Sequence, residues 1–222
     1  VFRRRTLPVL VAAAGVIAFA IGAIVAGLSR SPNRDGTRPS AATVDVNGRW
    51  VIAPGTSVGY EIGQRLAGVR SEAAGQTDRV TGTLVLRAGT SGLVVAKGAR
   101  VVIDMRALAS DDPARDRALR TRGLETSRYP TASFVTAFDT VVPSGALRTP
   151  QPLILRGVLT LHGVSRTLAI PVSAGLVEDR IVVDGELDVT LGDWGIDPPH
   201  VPGLVTVDPK GTMRFHLLFR RA

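Results

Sequence analysis

The chain has 222 residues, of which 45% are hydrophobic, 5% are aromatic and none is cysteine. That length holds one domain of generous size plus an appendage, and the missing cysteines exclude disulfides, thiolate catalysis and cysteine-ligated metals. Residues 1–40 carry +5 of the net charge of +8, so the remainder lacks the basic, aromatic-interleaved footprint of a nucleic-acid binder.

Residues 1–6 form a basic segment with Arg3, Arg4 and Arg5, and Leu7 to Leu28 follows with 22 residues and no charge. As a helix this stretch would span about 33 Å at roughly 1.5 Å per residue, enough for the hydrocarbon core of a bilayer. The arginines before it keep the N-terminus cytoplasmic, so the rest of the chain is expected on the extracytoplasmic side. A cleavable signal peptide competes with this reading, because Ala18-Phe19-Ala20 has the form of a cleavage site. Secretory apolar cores run to only about 7–15 residues, which favours a single-pass transmembrane anchor. In both cases the domain is exported, and it is secreted if the segment is cleaved. Residues 29–47 are rich in Ser, Pro, Gly, Asn and Asp without apolar periodicity, and predict a flexible linker.

Residues 48–222 form the expected folded domain. Period-two alternation is clearest at Ile181–Leu191, where Ile181, Val183, Leu187, Val189 and Leu191 share one face with Gly185. Asp184, Glu186, Asp188 and Thr190 take the other, as in a strand with one dry and one wet side. Noisier alternation predicts seven more strands, at Ser57–Ile62, Val80–Leu86, Leu93–Met105, Ser133–Val141, Pro152–Leu161, Arg166–Ser173 and Thr212–Phe219. Between the third and fourth lies one short helix. Asp112 is its N-cap, Pro113 its first residue and Gly123 its stop, and Asp116 and Arg120 are spaced to pair along it. Eight strands with turn-length connections predict an all-β, antiparallel design, either a two-sheet sandwich or a barrel. The long strands favour closure, which also removes exposed sheet edges. A barrel of eight strands is plugged by its own side chains or holds one small ligand.

The chemistry-bearing residues are sparse. His162-Gly163 falls between two alternating runs, with no carboxylate inside that hairpin to orient the imidazole, and predicts a turn with the histidine in water. His200 lies in a proline-rich loop and His216 shares a strand face with Arg214, so the three histidines do not have metal-ligand spacing. No metal site and no catalytic residue is assigned. Asp111-Asp112 sit at a helix start, and Asp184, Glu186 and Asp188 form a solvated strand face. Arg115, Arg117, Arg120, Arg122 and Arg128 cluster around the helix, with Asp111, Asp112, Asp116 and Glu125 among them. Surface pairing accounts for this group. A phosphate head group is the alternative partner, with Arg115, Arg120 and Arg128 as its candidate contacts.

Five stretches in order, "VVIDMRALASDDPARD", "LETSRYPTASF", "GVLTLHGVSRTLAIPV", "DWGIDPP" and "GTMRFHLLF", make Gly48 to Arg220 resemble the YceI-like domain family. Two departures stand at the entry end: Thr56 precedes Ser57 where many members carry His-Ser, and Gly68–Thr77 is longer and more polar than usual. The resemblance implies a lipocalin-like antiparallel barrel around a long apolar pocket, in a periplasmic or secreted protein. Some members bind polyisoprenoid chains such as quinones or prenyl phosphates, and the family has no sharply defined catalytic set. The expected function is therefore an extracytoplasmic, non-enzymatic carrier of an isoprenoid lipid, with no cofactor and no nucleic-acid partner. A ligand-free structural or interaction barrel, or a lipid-modifying enzyme, are the alternatives. Strand alternation assigns the pocket lining to Tyr60, Ile62, Leu84, Phe134, Phe138, Leu159, Leu168, Ile170, Leu187 and Phe215, with Trp194 near a strand end.

Overall fold

A computed structural model describes residues 45–222 except 91, 96–97 and 144–148. The expected anchor at 7–28 and most of the expected linker at 29–47 lie outside the described residues. Among the described residues no helix is long and apolar enough to cross a membrane.

Among the described residues fourteen strands appear, many of them halves of longer arms. The first arm is β1 (Gly48–Ile52) and β2 (Ser57–Leu66), and the second is β3 (Val69–Thr77) and β4 (Val80–Gly89). β5 (Gly92–Val95) follows, then β6 (Arg100–Asp104), β7 (Ala109–Ser110) and helix α1 (Pro113–Thr121). The remaining strands are β8 (Thr131–Thr136), β9 (Thr140–Pro143), β10 (Gln151–Leu161), β11 (Val164–Val177), β12 (Arg180–Thr190), β13 (His200–Val201) and β14 (Val205–Arg221). Antiparallel pairing runs β1–β4–β6–β8–β10–β11–β12–β14 and returns from β14 to β1, a closed ring of eight strands. The expected antiparallel barrel with one short helix is the observed architecture, and closure removes the edges that a sandwich would leave.

Where strands were expected and how they divide differs in detail. Leu93–Met105 is not one strand but β5 and β6, and Ser133–Val141 divides into β8 and β9. β3 is absent from the expected set because its inward positions, Ser71, Ala73, Gly75 and Thr77, are small or polar and give no hydrophobic alternation. It nonetheless pairs with β2 along its whole length. The break between β1 and β2 is bridged by Thr56, the residue at the departure from the family pattern. Its buried hydroxyl accepts from the Leu218 N–H at 2.9 Å and donates to the Leu218 carbonyl at 3.3 Å. The side chain thus stands in for a missing rung of the ladder.

Two-residue His162-Gly163 joins β10 to β11, with φ of 51° and 76° respectively. Positive φ at both positions is the type I′ hairpin turn, whose twist matches that of the strands. Inside the barrel, Trp50, Leu84, Leu86, Ile170, Val172, Val183, Leu217 and Phe219 are among the buried residues of one continuous core. Phe134 lies over Gly157 and Phe215 over Gly185, where an added Cβ would collide with the ring.

α1 forms as the cap residues require. The Asp112 carboxylate accepts from the Ala114 N–H at 2.8 Å and the Arg115 N–H at 3.3 Å, satisfying two of the helix's orphan donors. The expected Asp116–Arg120 pair is not made. Asp116 instead accepts from the Ser110 N–H at 3.0 Å and its hydroxyl at 2.7 Å, tying the helix to β7. A fixed backbone donor in β7 outcompetes a flexible cation on the helix surface.

Candidate ligand-binding cavity

The half of the barrel beneath α1 is not filled by side chains. A cavity of about 340 Å³ remains there, lined on β2 by Val58, Tyr60, Ile62 and Gln64, and on β14 by Val207, Gly211 and Met213. Ile103, Leu161, Val189 and Ile196 line it from other parts of the barrel, and Ala114, Arg115, Ala118, Leu119 and Arg122 cover it from the helix. Small residues on β3 create part of this space. An added Cβ at Gly75 would come within 2.7 Å of the Tyr60 ring, and the neighbouring inward residue is only Ala73.

Polar side chains interrupt the apolar wall, Tyr60 and Gln64 on β2 and Arg115 and Arg122 at the helix among them. Gln64 is only 5% exposed and lines the cavity. The Tyr60 hydroxyl is buried without a partner, and burial pushes its pKa up, partly offset by the nearby Arg115 cation. An unpaired buried polar group is costly unless something else supplies the bond, so the Tyr60 hydroxyl is a candidate anchor for a polar atom of a ligand.

Of the expected lining, Tyr60 and Ile62 face the cavity. Leu84, Leu159, Ile170 and Trp194 are buried in the packed core, and Phe134, Leu168, Leu187 and Phe215 pack against it, away from the cavity wall. Phe138 corrects the alternation outright: it lies in the bend between β8 and β9 and is 59% exposed. The strand ends at Thr136, so the inward parity does not reach it. Among the expected head-group arginines, Arg115 borders the cavity and is paired with Asp111 at 2.7 Å. Arg120 is exposed, and Arg128 is exposed with its guanidinium 5.1 Å from the Tyr129 ring centre. Gln64 and Ala73 escaped the sequence reading because a polar or small residue on an inward position carries no hydrophobic signal, and Leu119 because it lies on the helix, where strand alternation does not apply.

His162 is also corrected. It is buried, not in water, and its ring lies tilted against Tyr129 with centroids 4.1 Å apart. Nδ1 lies 3.2 Å from the Trp194 carbonyl and Nε2 lies 3.1 Å from Glu125 Oε2, so the orienting carboxylate comes from outside the hairpin. A carbonyl and a carboxylate both accept, so both contacts are hydrogen bonds together only with a second proton between Nε2 and Oε2. The residue closes the barrel end beside α1 and does not border the cavity. His216 lies on the wet face with Nδ1 2.6 Å from Asp184 Oδ1, and exposed His200 meets the Thr206 hydroxyl at 3.2 Å.

Residues 50–219 match the YceI-like domain family model. No curated protein matches the chain. Among solved structures, a polyisoprenoid binding domain from Saccharophagus degradans, implicated in plant cell wall breakdown, superposes with a TM-score of 0.56 at 18% identity. The match covers 79% of this chain and 99% of that one. BcnA of Burkholderia cenocepacia superposes with a TM-score of 0.54 at 17% identity, covering 73% of this chain and 95% of the other. Identities this low show a shared fold.

Proposed function

Because the chain belongs to the YceI-like domain family, we propose that it holds a polyisoprenoid-type lipid, a quinone or a prenyl phosphate, inside the barrel. The observation that carries this reading is the apolar cavity of about 340 Å³ beneath α1. At the packing density of protein interiors it has room for roughly three isoprene units. Each buried methylene contributes about 0.8 kcal/mol, so a short length of tail gives useful affinity with few polar contacts. The likeness to a polyisoprenoid binding domain supports the same reading.

The protein acts as a carrier and not as an enzyme in this proposal. The polar groups on the cavity wall are suited to holding a ligand, and Arg115 already has Asp111 as its partner. We further propose that residues 7–28 anchor the chain in a membrane with the barrel on the extracytoplasmic side, a reading that rests on the uncharged stretch alone.

Native mass spectrometry of the full chain, extracted from its host membranes, tests the proposal. The expected result is a co-purifying isoprenoid lipid, or uptake of added menaquinone or polyprenyl phosphate. A protein that carries no lipid and takes up neither additive overturns it and leaves the ligand-free structural barrel as the better account.

A further inference from the structure

The end of the barrel that holds the cavity also carries an exposed apolar tip. Leu66 and Val69 flank the β2–β3 turn and are 41% and 69% exposed, and Val201 and Leu204 beside them are 37% and 58% exposed. The two segments are joined directly: the Ala67 N–H donates to the Leu204 carbonyl at 2.8 Å, and Leu66 pairs with Val205 across the sheet. Leu66 and Val205 line the cavity as well, so the apolar tip is continuous with its mouth. Exposed hydrophobic side chains gathered in one place mark an interaction surface.

Charge says what kind. Arg65 and Arg70 flank the tip on the same hairpin and are exposed, and Arg122 reaches the mouth from α1. Among the described residues Arg65 and Arg122 have no carboxylate partner, while Arg70 meets Asp208 at 3.5 Å. Apolar side chains at the apex with guanidiniums just behind them match the layered chemistry of a bilayer surface, apolar inside and anionic at the head groups.

We propose that the tip formed by Leu66, Val69, Val201 and Leu204 docks on an anionic lipid surface, bringing the cavity mouth to the bilayer. This rests on the proposed lipid-carrying function, since the contact gives a lipid tail an apolar path between membrane and cavity.

The chain has no cysteine, so single labels are simple to place. Ala67→Cys puts an environment-sensitive fluorophore at the tip and leaves the apolar side chains intact. Phe138→Cys puts the same label on an exposed site at the far end of the barrel. The full chain is reconstituted in vesicles of equal parts phosphatidylcholine and phosphatidylglycerol carrying nitroxide-labelled tails. The tip label is expected to be quenched severalfold more than the Phe138→Cys label, with the difference reduced in pure phosphatidylcholine. Adding Leu204→Ser is expected to reduce tip quenching, and Arg65→Gln to lower the docked-to-undocked ratio about fivefold.

Equal quenching at the two sites overturns the proposal, as does a tip signal that appears with concentrated protein and no vesicles, which would mark self-association. Bound lipid in the Leu204→Ser chain separates the two ideas. Retained cargo with lost quenching supports docking, and quenching in a chain that never carries lipid removes the carrier reading alone.

Discussion

His162 Nε2 lies 3.1 Å from Glu125 Oε2, although 37 positions separate the two residues. The contact ties the β10–β11 turn to the segment that links α1 to β8, and the approach of His162 Nδ1 to the Trp194 carbonyl holds the barrel end from the other side. His162→Ala is expected to lower unfolding stability by about 2–4 kcal/mol, through lost hydrogen bonds and the space left by the ring. His162→Asn is expected to be milder, because asparagine tolerates the positive φ of 51°. Urea denaturation of both variants checks this. A His162→Ala chain within about 0.5 kcal/mol of the parent rejects a structural role.

Asp112 makes the lid over the cavity sensitive to acid. Backbone N–H groups of Ala114 and Arg115 hold its carboxyl below the usual value of 3.8. A carboxylate with a depressed folded pKa stabilises fully above its unfolded value, and the effect is lost as pH falls through the folded one. Protection of the α1 amides, relative to those of β12, is therefore expected to drop below the ordinary carboxylate range. Asp112→Asn keeps a capping acceptor without a titrating proton and should flatten the profile. Hydrogen exchange across acid pH measures it, and identical profiles for the two chains count against the cap.

Tyr60 places a buried, unpaired hydroxyl on the cavity wall. Tyr60→Phe is expected to raise the stability of the lipid-free barrel by about 1–2 kcal/mol, while weakening retention of a lipid with a polar head. Thermal unfolding and a lipid-release assay are read together. Lower stability with unchanged lipid retention contradicts the assignment.

Ala73 faces the cavity from β3 and is buried. Ala73→Phe adds roughly 100 Å³ of side chain, which the cavity can absorb with the barrel folded. Bound lipid in native mass spectra is expected to fall severalfold at unchanged secondary structure. A filled barrel that still carries a full complement of lipid moves the binding site elsewhere.

Gly185 leaves space for the Phe215 ring. Gly185→Ala is expected to destabilise by about 1–3 kcal/mol, and Phe215→Leu in the same chain to recover most of that. Additive losses in a double-mutant cycle by chemical denaturation would show that the two sites do not share space.

The alternation at Ile181–Leu191 and the Asp112-Pro113 helix start were legible because each is a local pattern. One follows from the two-residue period of a strand, the other from orphan N–H groups at a helix end. Tyr60 and Ile62 were placed for the same reason, being inward positions on a strand with clear parity. Parity says which face is dry but not which part of a dry face is packed. Leu84 and Ile170 are as inward as Ile62, yet they lie in filled core.

The sequence by itself determined an all-β antiparallel domain, its short helix, its one-sided strands and the His162-Gly163 turn. Tertiary structure alone decided where the barrel stays open, because that depends on what several distant strands bring to one level. The small residues of β3 gave no hydrophobic signal, and they leave the space that Tyr60, Gln64 and α1 enclose. Tertiary structure also decided the state of His162. Its carboxylate partner lies on another segment, and only barrel closure and the docking of the α1–β8 connection bring Glu125 against the turn.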